Sequence, residues 1–234
     1  MRVWVQLAGG RGSRFGGKVP KQFQRLGKKP LLLHAIETFL KAYPNSPVIV
    51  VLPLLHFRYG EKLVRSAFPG ASIYLTVGGD TRSASTEAAL TLLQALELLQ
   101  SAHVIAFHDA ARPFVSETLI KRVFDEAEKS GATVCGLPVS VSLRKVEGTH
   151  SRALPRGDIW EIQTPQAFRG DVLLSAWHKL SPTVSETFTD EGSWIEAAGF
   201  PVSIVAGEPH NIKITYPFDW EVARAWVRRS KQTT

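Results

Sequence analysis

A chain of 234 residues with 44% hydrophobic and 21% charged content fills one domain, residues 1–234, and is too short for two full ones. Its 28 basic residues against 21 acidic give a net charge of +7 and a pI of about 9.7. That balance suits nucleic acid, an anionic surface or small phosphorylated substrates, and by itself chooses none of them. The basic residues are scattered, apart from a glycine loop near the start and the tail RRSKQTT, so no continuous stripe for nucleic acid is expected. One cysteine, Cys135, excludes an internal disulfide and lacks the partners of a zinc site; within the apolar run ATVCGLPV it reads as core. No apolar run approaches the ~20 residues of a membrane span, and VWVQLAGG at the start carries no basic leader, so a cytoplasmic enzyme without membrane contact is expected.

In chain order, short β-branched runs alternate with longer stretches of helical period: VWVQLA, LLLHAIETFLKAY, PVIVVLP, HFRYGEKLVRSAF and SIYLTV. The alternation continues through STEAALTLLQALELLQ, HVIAFHD, SETLIKRVFDEAEKSG and ATVCGLPV. It predicts an α/β fold, a Rossmann-like, doubly wound and mostly parallel sheet covered on both faces, with ligands at its carboxyl edge. From about residue 140 to 156 the pattern stops. SVSLRKVEGTHSRALPR reads as two short polar strands about an EGTH turn, a protruding β-arm that needs something to pack on, most simply a second copy of the chain. DIWEIQTPQAF follows, then helices at GDVLLSAWHKL and DEGSWIEAAG, the strand PVSIVAG, the segment HNIKIT and the closing helix PFDWEVARAWVRRS, whose Trp220 and Trp226 are expected to pack.

The stretch LAGGRGSRFGGKVPKQF, Leu7 to Phe23, nearly completes two phosphate-binding motifs. Gly12, Gly17 and Lys18 have P-loop spacing, but Val19 stands where a magnesium-binding hydroxyl belongs. Gly10 and Gly12 begin a dinucleotide fingerprint, but Phe15 occupies the place of its third glycine. Directly after a strand, Gly9, Gly10 and Gly12 let backbone N–H groups approach an anion, while Arg14 and Lys21 add charge that a polyphosphate transition state would use. Asp109, directly after VIAF, is a carboxylate that needs a metal, Arg112 or a substrate hydroxyl to compensate it.

The loop, with its PKQ, resembles the signature of the cytidylyltransferases that act on polyol phosphates. GGDTRSAS from Gly78, HDAARPF from His108, TPQAF from Thr164 and NIKIT from Asn211 agree in order and spacing over nearly the whole chain. The nearest family is that of 2-C-methyl-D-erythritol 4-phosphate cytidylyltransferases, of isoprenoid precursor biosynthesis. The resemblance implies a transferase that uses CTP, a polyol phosphate and Mg²⁺. It makes Arg14, Lys21 and Lys213 catalytic, and Ala8, Gly9, Gly10, Gly12, Gly79, Asp80, Ser85 and Ala110 nucleotide-binding. Asp109, Arg112, Ser142, Arg156 and Thr189 would bind substrate, with Asp109 also a metal ligand beside the CTP phosphates. Ser142 and Arg156 lie in the arm and would reach across a homodimer.

This chain departs from the family in reading Val141-Ser142 where Asp-Thr is common, His210 where acidic residues are frequent, and Gly9 in place of an alanine. A ribitol 5-phosphate cytidylyltransferase would share the nucleotide residues and differ at the arm. A non-catalytic or dehydrogenase-like nucleotide-binding domain is the alternative of another class, against which stands the missing acidic residue at the ~20-residue offset.

Overall fold

The computed structural model describes residues 1–10, 15, 19–180 and 188–230. Its strands are β1 (Arg2–Leu7), β2 (Arg25–Leu26), β3 (Lys29–Pro30), β4 (Val48–Leu52), β5 (Ile73–Val77), β6 (Val104–Asp109), β7 (Ala132–Pro138), β8 (Leu143–Glu147), β9 (His150–Leu154), β10 (Trp160–Arg169) and β11 (Ser203–Ala206). Its helices are α1 (Leu32–Ala42), α2 (Phe57–Ala67), α3 (Arg82–Ala95), α4 (Leu98–Ser101), α5 (Glu117–Ser130), α6 (Gly170–Leu180), α7 (Glu191–Ala197) and α8 (Pro217–Ser230).

Seven strands form one sheet in the order β11-β7-β10-β6-β1-β4-β5. Neighbours are parallel except at β10, which runs antiparallel to both β6 and β7. The central strands are apolar on both sides because both sides are covered, and their alternation divides the core in two. Val3, Val5, Leu7, Ile49, Val51 and Phe107 pack with residues of α3, α4, α6 and α7; Trp4, Val48, Val50 and Ala106 pack with residues of α1, α2 and α5. Trp4, Phe39, Phe107, Phe124 and Phe168 are fully buried, and each contributes about 1.5–3 kcal/mol by leaving water. The doubly wound, mostly parallel sheet expected from the alternation is the fold observed.

Three local features were not in the sequence pattern. DIWEIQTPQAF becomes β10, inserted between β7 and β6, and its register shifts between Gln163 and Ala167. Such a shift re-aims side chains, and it lies beside the end of β6. The single helix expected over STEAALTLLQALELLQ breaks at Glu97, where φ is 56°, so that α4 can turn Leu99 into the core. A small hairpin, β2-β3, joins Leu26 and Leu31 to Ile214 and Ala223 in a third apolar cluster under α8. Trp220 packs against this cluster as expected, whereas Trp226 is 46% exposed and stacks on His210 at 5.8 Å.

The arm forms as expected, β8 pairing with β9 from Leu143↔Leu154 to Glu147↔His150. Val141 and Val146 on it are 63% and 68% exposed. Among the described residues no helix is long and apolar enough to cross a membrane.

Candidate active site

Parallel register sets Leu7 at the end of β1 beside Asp109 at the end of β6. The backbone leaving β1 enters the glycine loop there, at the carboxyl edge, and a cleft of about 270 Å³ opens over it. Its wall runs from Ala8, Gly9 and Gly10 through Asp80 and Ser85 to Asp109, Ala110 and Lys213. Phe15 lines it too and meets Trp220 edge-on, ring centroids 5.6 Å apart.

The PKQ segment fastens the loop. Pro20 precedes a short 3-10 turn, Lys21–Phe23, which buries Gln22 and Phe23. Gln22 Nε2 donates to the carbonyls of Ala8 at 2.9 Å and Gly10 at 3.0 Å, so an amide side chain holds both ends of the loop's first turn. Lys21 Nζ lies in the cleft and donates to the Ile214 carbonyl at 2.5 Å. Gly9 is closely packed: a Cβ there would come within 2.7 Å of Ser85 Oγ, which would have to turn, and 3.3 Å of Gly78 Cα. This chain's glycine in the place of the usual alanine thus comes with close packing of the loop on the GGDTRSAS block.

Asp109 is the charged centre. Its carboxylate lies 2.6 Å from Lys213 Nζ and 3.3 Å from Arg82 Nε. Burial alone would raise its pKa, but the cations Arg82 and Lys213 outweigh that and hold it well below the usual carboxylate range. Arg82 in turn donates to Glu191 with both terminal nitrogens, at 2.8 and 2.7 Å. Glu191 is 1% exposed and takes a further hydrogen bond from Thr86 Oγ1 at 2.7 Å. Burial works against the charge on Arg82, yet Glu191 and Asp109 raise its pKa above the ordinary guanidinium value.

A second chain of hydrogen bonds fixes the Asp109 backbone. The Arg112 carbonyl can only accept, so His108 Nε2 carries the hydrogen in their 2.9 Å contact. His108 Nδ1 then accepts from the Thr164 hydroxyl at 3.2 Å, and Thr164 Oγ1 accepts the Asp109 N–H at 3.1 Å. Burial keeps His108 neutral, its pKa pushed down to about 4. The neutral ring is the form this chain of donors and acceptors requires.

The residues expected from the sequence are therefore distributed unevenly. Ala8, Gly9, Gly10, Lys21, Asp80, Ser85, Asp109, Ala110 and Lys213 line the cleft. Gly79 stands beside it, its carbonyl 3.5 Å from Ser85 Oγ. Arg14 and Gly12 lie outside the described residues. Arg112, expected to meet substrate, is 6% exposed and turned away from the cleft: its fork donates to the carbonyls of Asn211 at 2.8 Å and Ile162 at 3.3 Å. It ties β10 to the segment that carries Lys213. Thr189 is exposed next to Asp190, whose side chain caps α7, and does not line the cleft. Ser142 and Arg156 are exposed on and beside the arm and do not line this cleft either. Cys135 is buried as expected, its thiol donating to the Pro165 carbonyl and pushed up to about 12 by burial.

Arg82 and Gln22, which line the cleft, and Glu191, which holds Arg82, are residues that sequence reasoning passed over. Arg82 stands in the GGDTRSAS block and Glu191 in DEGSWIEAAG, but their pairing across 109 positions carries no local pattern.

The family model described as IspD: 2-C-methyl-D-erythritol 4-phosphate cytidylyltransferase matches residues 3–229. A 2-C-methyl-D-erythritol 4-phosphate cytidylyltransferase of Bacteroides fragilis is 35% identical over 224 residues, covering 96% of this chain and 98% of the relative. One from Thermosipho melanesiensis is 36% identical over 216 residues, 92% of each. The crystal structure of the enzyme of that name from Thermus thermophilus has a TM-score of 0.69 and 33% identity, covering 96% of this chain and 98% of that one. The 4-diphosphocytidyl-2C-methyl-D-erythritol synthase of Anaerococcus prevotii shares the fold at a TM-score of 0.77 and 22% identity, with 97% and 96% covered. With a glycine-floored cleft at the carboxyl edge and a match running almost end to end, the chain belongs to the 2-C-methyl-D-erythritol 4-phosphate cytidylyltransferase family.

Proposed function

We propose that the cleft carries out one direct substitution at phosphorus: a phosphate oxygen of 2-C-methyl-D-erythritol 4-phosphate attacks the α-phosphorus of CTP, and pyrophosphate leaves. The chain is a nucleotidyltransferase, a CTP-dependent cytidylyltransferase of isoprenoid precursor biosynthesis. The family model and these relatives carry the methylerythritol phosphate name, and the ribitol 5-phosphate alternative draws no support from them.

The observation that carries the mechanism is the pairing of Lys213 and Arg82 with Asp109 in a cleft that Lys21 also lines, on a floor of glycine backbone. The attacking phosphate is already an anion, so no general base is needed, and the protein's work is positioning and charge neutralisation. Lys21 and Lys213, with Arg14, face the α-phosphate and the attacking phosphate, where a cation counts for more in the transition state than in the ground state. Backbone of Ala8, Gly9, Gly10 and Gly12 cradles the triphosphate. Gly79, Asp80 and Ser85 read the cytosine, and Ala110 stands at the ribose.

Asp109 fits magnesium as a single hard oxygen donor whose other ligands would be triphosphate oxygens and water. Among the described residues no three of His, Cys, Asp and Glu gather to hold an ion without the nucleotide. Bound there, the ion would neutralise and orient the triphosphate.

Ser142 and Arg156 we assign to the cleft of a second copy, the arm crossing a homodimer. The exposed Val141 and Val146 and the marginal stability of an isolated hairpin support this. The cytoplasm, a reducing setting, suits a chain with one free thiol.

The test incubates the protein with CTP, Mg²⁺ and a panel of polyol phosphates, following pyrophosphate and the cytidine diphosphate product. Turnover with 2-C-methyl-D-erythritol 4-phosphate is expected. No turnover with it, or faster turnover with ribitol 5-phosphate, would overturn the reading.

A further inference from the structure

Two helix N-termini meet beside the cleft, and each opens on a charged residue. Arg82 begins α3 after its cap Thr81, and Glu191 begins α7 after its cap Asp190. The helix dipole favours a carboxylate at such a position and disfavours a guanidinium. Arg82 therefore stays where it is because of its partners, and those partners are engaged unequally. Both terminal nitrogens go to Glu191 at 2.8 and 2.7 Å, while Asp109 receives the Nε hydrogen alone, at 3.3 Å. With its side chain 1% exposed, Glu191 has no water to turn to.

Around the reacting centre the cations Arg82 and Lys213 balance the anions Asp109 and Glu191. Take Glu191 away and Asp109 faces two cations, one of them with a two-pronged donor set that no other described residue holds. A guanidinium fork matches a carboxylate in bidentate fashion, and Arg82 already touches Asp109 with one nitrogen.

We infer that Glu191 is a positioning residue for the transfer: by holding the fork of Arg82 it prevents a bidentate closure on Asp109, and so leaves Asp109 Oδ1 with one long contact, at 3.3 Å, that the metal–triphosphate can displace. The inference rests on the assignment of Asp109 and magnesium made above.

Glu191→Gln is the informative variant, since one acceptor oxygen becomes an N–H₂ group facing an Arg82 donor. Manganese serves as the probe, its free ion counted by electron paramagnetic resonance, and metal-free CTP binding is followed by calorimetry. Outer partners of a metal ligand typically act on metal affinity, so the CTP complex of Glu191→Gln should hold Mn²⁺ about 10-fold more weakly or worse. Metal-free CTP should bind as well as to the wild type or better, because the variant has lost a negative charge. A residue that merely braced the fold would weaken both together, and that result would overturn the inference.

The double variant Arg82→Gln/Glu191→Gln replaces the ion pair by two amides that can bond each other, and should hold Mn²⁺ within about threefold of the wild type. Should Glu191→Gln fail to fold, the double variant decides alone, a loss of about 10-fold or more counting against the inference. Wild-type turnover measured alongside separates the two levels. Its absence sinks the proposed reaction, whereas an active wild type and a Glu191→Gln variant with unmoved Mn²⁺ affinity sink only the role of Glu191.

Discussion

Lys213 Nζ lies 2.6 Å from Asp109 Oδ2, so the segment after β11 is tied to the end of β6 across the mouth of the cleft. A lysine held by the carboxylate at the carboxyl edge is placed to exchange that anion for an incoming phosphate. Lys213→Met removes the charge and keeps much of the apolar length. It should lower kcat/KM for the polyol phosphate by about 10²–10³ while CTP affinity changes only a few-fold, in keeping with loss of a transition-state contact. Steady-state kinetics in the polyol phosphate, with CTP binding by calorimetry, check this; equal losses in both would place Lys213 on the nucleotide instead.

The arm offers a complementation test. Lys21→Ala disables the cleft of its own chain, and Arg156→Ala disables the arm. If the arm serves the partner's cleft, a mixed dimer has one intact site, and an equilibrated mixture of the two inactive variants should recover about a quarter of wild-type activity. A mixture that stays inactive, or a chain that light scattering shows to be monomeric at micromolar concentration, contradicts the assignment of Ser142 and Arg156 to a second copy.

Nucleotide choice tests the GGDTRSAS block. Gly79 is packed on Ala84, whose Cβ would lie 2.4 Å from any Cβ at position 79, so this stretch of backbone has little freedom to adapt to another base edge. A site that hydrogen-bonds one edge rejects an analogue that leaves its polar groups unpaired, so kcat/KM for UTP should fall about 10²-fold or more below that for CTP. Comparable rates with the two nucleotides would show that the block does not read cytosine.

Acid should destabilise the protein through histidine before it reaches Asp109. Burial lowers His34 and His108 from 6.5 to about 4, with Lys29 reinforcing the effect at His34. Below pH 6.5 the unfolded chain takes up a proton at each ring that the folded chain refuses until about pH 4, so stability rises with pH across that window and is lost on descending through it. For fully buried His108 the loss is about 3 kcal/mol. Asp109, with its pKa depressed, loses its contribution only further into acid. Urea unfolding at pH 7, 5.5 and 4.5 should show the decline, and His108→Gln should flatten it; a stability that is level from pH 7 to pH 4.5 would refute the assignment.

How much of this was legible beforehand follows from what leaves a local mark. Alternation of β-branched runs with helical stretches marks a covered parallel sheet, and the glycines after β1 mark its carboxyl edge, so the fold, the loop with Lys21, and Asp109 were readable from the residues, whereas Ala8, Asp80, Ser85, Ala110 and Lys213 came from the family resemblance. β10 was not, because WEIQTPQAFR, with Glu161, Gln163, Gln166 and a proline inside it, lacks the apolar run of a buried strand. The family resemblance made Arg112 a substrate ligand, but its side chain is turned to the backbone carbonyls of Asn211 and Ile162. The pairing of Arg82 with Glu191 left no periodic or spacing signal at all. A buried carboxylate opening a helix is its trace, visible only once burial is known.

If the glycine loop holds a triphosphate and its lysine at PKQ stabilises the transition state, the two lysines of the stretch must differ in what they do. The most direct measurement compares Lys21→Ala with Lys18→Ala, reading kcat and CTP affinity on the same samples. Lys21 lies in the cleft, and removing a cation from the α-phosphoryl oxygens should cost about 10²–10³ in kcat, roughly 3–4 kcal/mol, with a much smaller loss of CTP affinity because the backbone cradle remains. Lys18 belongs to the incomplete P-loop whose hydroxyl position is Val19, and Lys18→Ala should be mild. If Lys18→Ala abolishes turnover while Lys21→Ala leaves it intact, the loop works as a P-loop variant and the mechanism is contradicted.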